Sequence, residues 1–531
     1  MNQPFSFQTR ERSLSYLKNR AWDVLVIGGG ITGAAVARDA VLRGLTVALV
    51  DAHDFASGTS SGSTKLIHGG LRYLENFEFK LVSEAIHERE KLRALYAPFV
   101  RDLRFVFPTY RGKPPARWKL NIGLFLYDAF SSFRERHQNL SAEATKSRFK
   151  FLKAEGLTGS CIYIDSFAED YRLVVELIKS AHRHGAICLN QVSVFNLHST
   201  QDEFTKVDVK DHISGEKFSV SAKTIFNCSG PYSDRIRAFC GLPPTLTLTQ
   251  GVHFLIPHSK LPISEAFVLS DPELHRILFA IPWGNSTYFG TTDTSIPNPE
   301  DAQAQLADLR YVLKIVNGFF KSEIHESDVY QSWAGVRPLI TPQNSHKSNS
   351  AISREHLIEE SPPGIFHILG GKLTSHRSMA AEAMDLAAKS RGWAAGRTDK
   401  LPLQDALWDS DPNCEFAHLP KTYGRFYSDV LRIDREMGLH HKLISKDFPV
   451  LESEVLYCIH FEMALNAIDF LRRRTNLYYQ MDIENSSHRD LLKEINEVFA
   501  RELSWNAEVT QQRLKEAVAV FNFDRKGYRQ S

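Results

Sequence analysis

The chain of 531 residues has only six cysteines (Cys161, Cys188, Cys228, Cys240, Cys414, Cys458). None falls in a C-x-x-C pair or beside a histidine at zinc spacing, so neither a disulfide framework nor a metal site is expected, and a reducing, cytoplasmic compartment fits best. The sequence also lacks an apolar run of the roughly 18 residues that a membrane-spanning helix needs. Its first twenty residues are polar and basic (Arg10, Arg12, Lys18, Arg20) rather than apolar, so secretion is not expected and any membrane attachment must be peripheral. An excess of one charge is missing as well: 64 Lys+Arg face 62 Asp+Glu, which leaves no global field to gather nucleic acid. Internal repeats, low-complexity tracts and an EF-hand loop are absent, so calcium control is not expected. What remains is a globular chain, 43% hydrophobic, long enough for two to four domains at roughly 150 residues each.

From Trp22 the sequence reads WDVLVIGGGITGAAVARDAVLRGLTVALVDAHD. A short buried strand runs into glycines and then into an Ala-rich helix closed by Gly44, a βαβ unit. Gly28 permits the tight turn, Gly30 lets a diphosphate approach the backbone, and Gly33 lets the helix lie on the strand. Asp51 ends the second strand, where its carboxylate can accept the hydroxyls of an adenosine ribose and repel a 2′-phosphate. FAD and NAD share this fingerprint, so it does not choose between them. The next segment, ASGTSSGSTKLIHGGLRYLE, points to FAD: a stretch of small and hydroxyl residues can thread past a diphosphate and a ring, with Ser60, Ser61 and Thr64 supplying hydrogen bonds.

At this segment the chain resembles the FAD-dependent glycerol-3-phosphate dehydrogenases of the aerobic bacterial and mitochondrial type, within the D-amino-acid-oxidase-like flavoproteins. Further matches follow in order: NCSGPYSD, TQGVHFLIP, FAIPWGNSTYFGTTDT, SWAGVRPL, SREH, ILGGKLTSHR and FEMALNAIDFLRRRT. The resemblance runs from about residue 22 to about residue 479. It implies an α/β fold: a Rossmann-type FAD-binding domain over residues 20–395, in pieces near 20–75, 160–235 and 360–395. A mixed-sheet substrate domain is interleaved at about 76–159 and 236–359. The stretches KFSVSAKTIFNCSG and RILFAIPWGNSTYFGTTD read as strands of such sheets. Gly392, Gly396 and LPLQDALWDSDPN mark a boundary, after which SEVLYCIHFEMALNAIDFLRRR shows helical spacing, so 400–531 is expected to be a helical C-terminal domain.

The same resemblance implies oxidation of sn-glycerol 3-phosphate to dihydroxyacetone phosphate, with FAD as hydride acceptor and a membrane quinone receiving the electrons. Such chemistry needs a base and cations for a phosphate dianion beside the cofactor. Arg72 and Arg337 are the expected phosphate pair, since a guanidinium grips two oxygens in a fixed plane, and Tyr73 is expected beside the substrate. His253, in an apolar strand that would keep its imidazole near neutral, is the leading base, although a histidine there is more often a satisfied core residue. Lys372, at the start of a helix after a glycine pair, is expected to stabilise charge at the flavin and to reach the substrate; a solvated surface lysine is the plainer reading. Gly69, Gly70, Gly230, Gly370, Gly371, Leu373 and Thr374 join the expected cofactor contacts, with His68 on the flavin face. Thr291, Thr292 and Asp293 are expected to position substrate or support the site. Relatives often carry a basic residue where Gln250 stands, a departure that bears on substrate affinity or on the histidine.

Two basic stretches lie outside this scheme. RGKPPARWKLNIGLFLYDAFSSFRERH (111–137) joins basic and aromatic residues as a membrane-surface patch would, yet its composition also suits a core helix with a solvated end. Arg472, Arg473 and Arg474 read as a solvated helix face or an ion-paired junction. The partners implied are glycerol 3-phosphate, a quinone and the cytoplasmic face of a membrane; a homodimer is compatible with them. Two other readings stay open: an oxidase that hands electrons to oxygen, and a flavoprotein that only binds partners.

Overall fold

The structure, a computed structural model, describes residues 4–71, 78–198, 204–274, 276–341, 356–406, 414–445 and 447–529. Among these the chain builds two sheets and a helical region. The first sheet has eight strands, ordered His356–Glu360, Ile365–Gly370, Lys217–Asn227, Ala21–Ile27, Val47–Val50 and Ile187–Leu189, with Thr205–Asp211 and Val192–His198 continuing from Lys217–Asn227. Its centre is parallel: Ala21–Ile27 lies between Lys217–Asn227 and Val47–Val50. These central strands carry apolar residues without alternation because both faces are covered, as parallel sheets require. One cover is the helix Ile31–Leu42, whose residues from Gly33 to Leu42 are all buried; its alanines let it sit close to the strands and to the helix Asp170–Arg183.

The second sheet has ten strands among the described residues and is largely antiparallel. Near one edge, the strand Leu246–Pro257 is paired with Ser286–Gly290 on one side and Gln331–Ile340 on the other, so that His253 stands opposite both Gly290 and Trp333. The strand Leu157–Ala168 belongs to this sheet, so the segment expected from residue 160 in the nucleotide half joins that half only with the helix that follows. The helix Leu306–Phe319 covers the outer face of the sheet over a separate apolar core that includes Val252, Phe254, Val312 and Val316.

Helices dominate after the boundary, with Gly392 (φ +66°) ending His376–Arg391 as a left-handed cap. Three of the later helices, Ala467–Arg473, Ser486–Glu502 and Ala507–Lys526, each begin at an asparagine (Asn466, Asn485, Asn506) whose side chain accepts a hydrogen bond from an amide of the first turn. The apolar core of this region is continuous with that of the nucleotide unit. No helix among the described residues is long and apolar enough to cross a membrane.

Candidate active site

The glycine turn is fixed by backbone contact. Gly28 has φ +108° and its amide donates to the Val50 carbonyl at 2.8 Å. A Cβ on Gly33 would stand 1.8 Å from the Gly28 carbonyl oxygen, so the helix can reach the turn only without a side chain there. Gly30 caps that helix, and a Cβ on it would meet only the Ser60 hydroxyl, at 3.2 Å. Ser60 in turn accepts the Ile31 amide at 2.9 Å. A backbone helix start, uncrowded and edged with hydroxyls, suits a diphosphate. Asp51 accepts the amides of Gly29 at 2.6 Å and His53 at 2.8 Å; burial pushes its carboxyl up to about 6. Gly230 (φ +57°) opens the turn Gly230–Tyr232 after the strand that pairs with Ala21–Ile27.

The short helix Thr59–Gly62 meets the strand Gln331–Ile340 of the second sheet at a backbone crossing. A Cβ on Gly335 would lie 2.0 Å from the Gly62 carbonyl oxygen, and one on Gly62 would lie 2.7 Å from the Gly335 Cα. Beside this crossing opens a cavity of about 340 Å³, into which Thr64, His68, His253, Thr292, Arg337 and Lys372 all reach. One wall is the turn at Gly370 (φ +70°) and Gly371 (φ +95°), which leads from the strand Ile365–Gly370 into Lys372, Leu373 and Thr374. Thr374 fastens that turn to the next segment: its hydroxyl accepts the His68 amide at 3.1 Å and lies 3.3 Å from the His68 carbonyl. His376 fastens it from behind, with Nδ1 2.6 Å from the Leu373 carbonyl. A cavity bounded by a glycine pair, a helix start and the hydroxyl stretch fits a flat ring continuing from the diphosphate site, so the residues present suit FAD.

Arg337 enters the same cavity from the strand Gln331–Ile340. Its guanidinium donates to the Thr292 carbonyl (3.1 Å) and the Thr291 hydroxyl (2.9 Å) and pairs with Asp293 at 3.2 Å. The group is thereby aimed while its side chain stays 23% exposed. Thr292 has a further task, accepting the Val252 amide at 3.2 Å. Arg72 and Tyr73, expected at the substrate, lie outside the described residues, as do Ser353, Arg354 and Glu355 of SREH.

His253 is 1% exposed. Its Nε2 is 2.9 Å from the Thr64 hydroxyl, its ring stacks on Trp333 at 4.5 Å and 11°, and its Nδ1 has no hydrogen-bond partner among the described residues. Burial, then the charges of Arg337 and Lys65, hold its pKa well below the usual histidine value, so the ring is neutral at physiological pH.

Sequence reasoning did not single out Lys65. Its ammonium is fully buried and pairs with Asp170, also fully buried, at 2.7 Å. It lies 5.0 to 5.5 Å from the ring centres of Tyr171, Trp283, Trp333 and Tyr479. Asp170 also takes the amide (3.1 Å) and hydroxyl (2.6 Å) of Ser63, so the pair sets the backbone just before Thr64. A second missed network braces Gly69: its amide donates to the Tyr127 hydroxyl at 2.8 Å, and Tyr127 and Arg89 both donate to Asp165 at 2.5 Å. The only sequence signal was a charged residue inside a run of small and apolar ones.

Gln250 points elsewhere. Its amide exchanges two hydrogen bonds with the Gln303 backbone, at 3.0 and 2.9 Å, while its neighbours Gly251 and His253 line the cavity. The arginine run is an ion-paired junction: Arg473 and Arg474 both bind Asp54, at 2.6 and 3.0 Å, and Arg472 pairs with Asp524 at 3.1 Å.

Residues 23–386 match the family model described as FAD dependent oxidoreductase, and residues 402–510 match the C-terminal domain of alpha-glycerophosphate oxidase. The mitochondrial glycerol-3-phosphate dehydrogenase of Mus musculus is 34% identical, over 98% of this chain and 76% of its own length. The aerobic glycerol-3-phosphate dehydrogenase of Staphylococcus saprophyticus is 34% identical over 89% of this chain and 90% of that protein. Among solved structures, the glycerol-3-phosphate dehydrogenase of Bacillus halodurans complexed with FAD superposes with a TM-score of 0.80 at 27% identity, covering 99% of this chain and 100% of that one.

Proposed function

The chain belongs to the FAD-dependent oxidoreductases, in the glycerol-3-phosphate dehydrogenase and oxidase family, and from that premise we propose that it oxidises sn-glycerol 3-phosphate to dihydroxyacetone phosphate and passes the electrons to a membrane quinone. Its cofactor is FAD. Gly28, Gly30, Gly33, Asp51, Ser60 and Ser61 would hold the nucleotide end, and the turn from Gly370 to Thr374 with His68, Gly69 and Gly70 would hold the ring end. When bound, FAD supplies the hydride acceptor.

The protein supplies the rest. Arg337, aimed by three oxygens, grips the phosphate. His253 takes the C2 hydroxyl proton. Nε2 is held by Thr64 and Nδ1 has no hydrogen-bond partner among the described residues, and the neutral ring carries one lone pair. The charges of Arg337 and Lys65 that lower its pKa also oppose a lasting imidazolium, so the proton is passed on rather than kept. Lys372 lines the same cavity as a further cation, and Thr292 accepts from Arg337 through its carbonyl.

The observation that carries this reading is that a guanidinium and a neutral, fully buried imidazole line one cavity large enough for a three-carbon ester. The test is anaerobic titration of the purified flavoprotein with glycerol 3-phosphate. Bleaching of the flavin band supports the reading, and an unchanged spectrum sinks it. Admitting a quinone analogue or oxygen afterwards separates the acceptors: fast recovery with peroxide release under oxygen replaces the quinone with an oxidase assignment.

The membrane side rests on the helix Arg117–Phe130. Leu120, Leu124 and Tyr127 are buried, while Trp118, Ile122 and Phe125 are 54 to 62% exposed along the opposite face. Phe133 extends that face, its ring 5.8 Å from Phe125, and Arg111, Lys119, Arg134 and Arg136 surround it as exposed cations. An apolar face ringed by cations suits an anionic lipid surface, where the quinone resides.

A further inference from the structure

The C-terminal helices have no part in the chemistry above, yet they meet the nucleotide unit at one particular place. The loop that follows Asp51 carries Asp54, which is buried and bound by Arg473 (2.6 Å) and Arg474 (3.0 Å). These charges hold Asp54 at about 2, so the clasp is ionised at any physiological pH. Its other end is anchored too: Arg473 also binds Asp469, and Arg474 donates to the Glu462 carbonyl at 2.8 Å. Two cavities open beside this clasp. One, of about 430 Å³, lies between His53, Gln191 and Tyr232 of the nucleotide unit and Arg473, Arg513 and Val520 of the helices Ala467–Arg473 and Ala507–Lys526. The other, of about 490 Å³, shares Ser57, Gly58, Tyr232, Arg472 and Val520 with the first, and shares Thr59 and Val336 with the active-site cavity.

The three spaces therefore adjoin one another, from the residues just after Asp51, past Tyr232 and the loop before Ser60, to the cavity at the ring end of the site. Tyr232 and the loop at His53–Gly58 face each other across the C-terminal ends of the central strands, where an open parallel sheet binds the nucleotide half of its ligand. We infer that the helices Ala467–Arg473 and Ala507–Lys526 roof the adenosine half of the FAD site, with Arg472 and Val520 as its inner surface, so that this region governs cofactor retention and FAD-over-FMN selection. The clasp at Asp54 joins that roof directly to the loop behind the ribose carboxylate. Release of FAD then requires the roof to lift.

FMN lacks the adenosine half, so it serves as an internal control for the ring end. The experiment titrates the deflavinated full-length chain with FAD and with FMN, following flavin fluorescence, and measures FAD release by dilution. Val520→Trp fills the shared wall of the two cavities. It is expected to weaken FAD at least about tenfold relative to FMN and to speed FAD release similarly, with the circular dichroism of the chain unchanged. If that variant binds neither flavin, the exposed Arg513→Glu carries the test, since it disturbs the mouth of the cleft without touching the core. A lowered FAD-to-FMN preference in either variant supports the roof. An unaltered preference in a folded Val520→Trp, or in Arg513→Glu where the first variant does not bind, overturns it. The readout is binding, so it stands whether or not glycerol 3-phosphate is the substrate.

Discussion

The Thr64 hydroxyl lies 2.9 Å from Nε2 of His253, across 189 residues of sequence, and so ties the segment that leaves the nucleotide unit to the strand Leu246–Pro257 of the second sheet. The contact decides which imidazole nitrogen is engaged and how the ring is turned. Thr64→Val is expected to lower kcat by about one to two orders of magnitude while FAD content stays full, and Thr64→Ser to restore most of it. Equal kcat in Thr64→Val and wild type in steady-state assays would remove the contact from the mechanism.

Arg337 is expected to act on substrate rather than cofactor. Arg337→Ala should raise KM for glycerol 3-phosphate by at least about a hundredfold, on the order of 3 kcal/mol for a lost charge-assisted pair. Flavin absorbance per chain should be unaltered, and Arg337→Lys should recover only part of the loss because it cannot reproduce the planar fork.

The buried pair of Lys65 and Asp170 has a predictable asymmetry. Lys65→Met leaves a carboxylate at the centre of the molecule without its cation and is expected to cost about 3–5 kcal/mol in chemical denaturation. Lys65→Met combined with Asp170→Leu should regain most of that stability. Removing the ammonium also removes a charge that depresses His253, so the acid limb of flavin bleaching should move to higher pH in the variants.

Acid stability follows in part from buried histidines, His253, His367 and His376, whose pKa values burial lowers. His376 is held down to about 4, chiefly by burial, and His253 is also well below its ordinary value. An unfolded chain takes up these protons near pH 6.5 while the folded chain refuses them, so stability is complete above that pH and falls as pH drops toward 4. His376 alone should account for about 2 kcal/mol of loss at pH 5, and His376→Gln should flatten the curve of melting temperature against pH between 5 and 7. An equal acid loss in that variant would shift the cause elsewhere.

The exposed face of Arg117–Phe130 gives a binding prediction. Replacing Trp118 and Phe125 by serine should reduce co-sedimentation with vesicles of anionic lipid at least about tenfold, since each buried aromatic ring contributes on the order of 2 kcal/mol. Bleaching by glycerol 3-phosphate in solution should not change. Unaltered sedimentation would assign the face to another partner.

How much of this could be read beforehand depends on distance along the chain. Gly28, Gly33 and Asp51 sit within one βαβ unit, so their spacing carried their geometry. The helical C-terminal region was equally legible, because its apolar periodicity is local. The arginine run was legible as an ion-paired junction, but not in its partner: Arg473 and Arg474 find Asp54 across 419 and 420 residues, and no local pattern states which acid a buried guanidinium will meet. Lys65 and Asp170, 105 residues apart, were hidden for the same reason. Gln250 shows the opposite error. Its neighbour in the motif faces the cavity, but strand alternation turns Gln250 to the other side, where it bonds to Gln303.

At the crossing of Gly62 and Gly335, peptide rests on peptide with nothing between them. The closest approach of the two halves of the cavity is made there by main-chain atoms, and the Thr59 hydroxyl, donating to the Val336 carbonyl at 2.6 Å, fastens it. A single added methyl at either position would act as a wedge, pushing base and guanidinium away from the ring end together. Variation in what the enzyme accepts is therefore free to arise at the rim, while the spacing of its working parts stays locked.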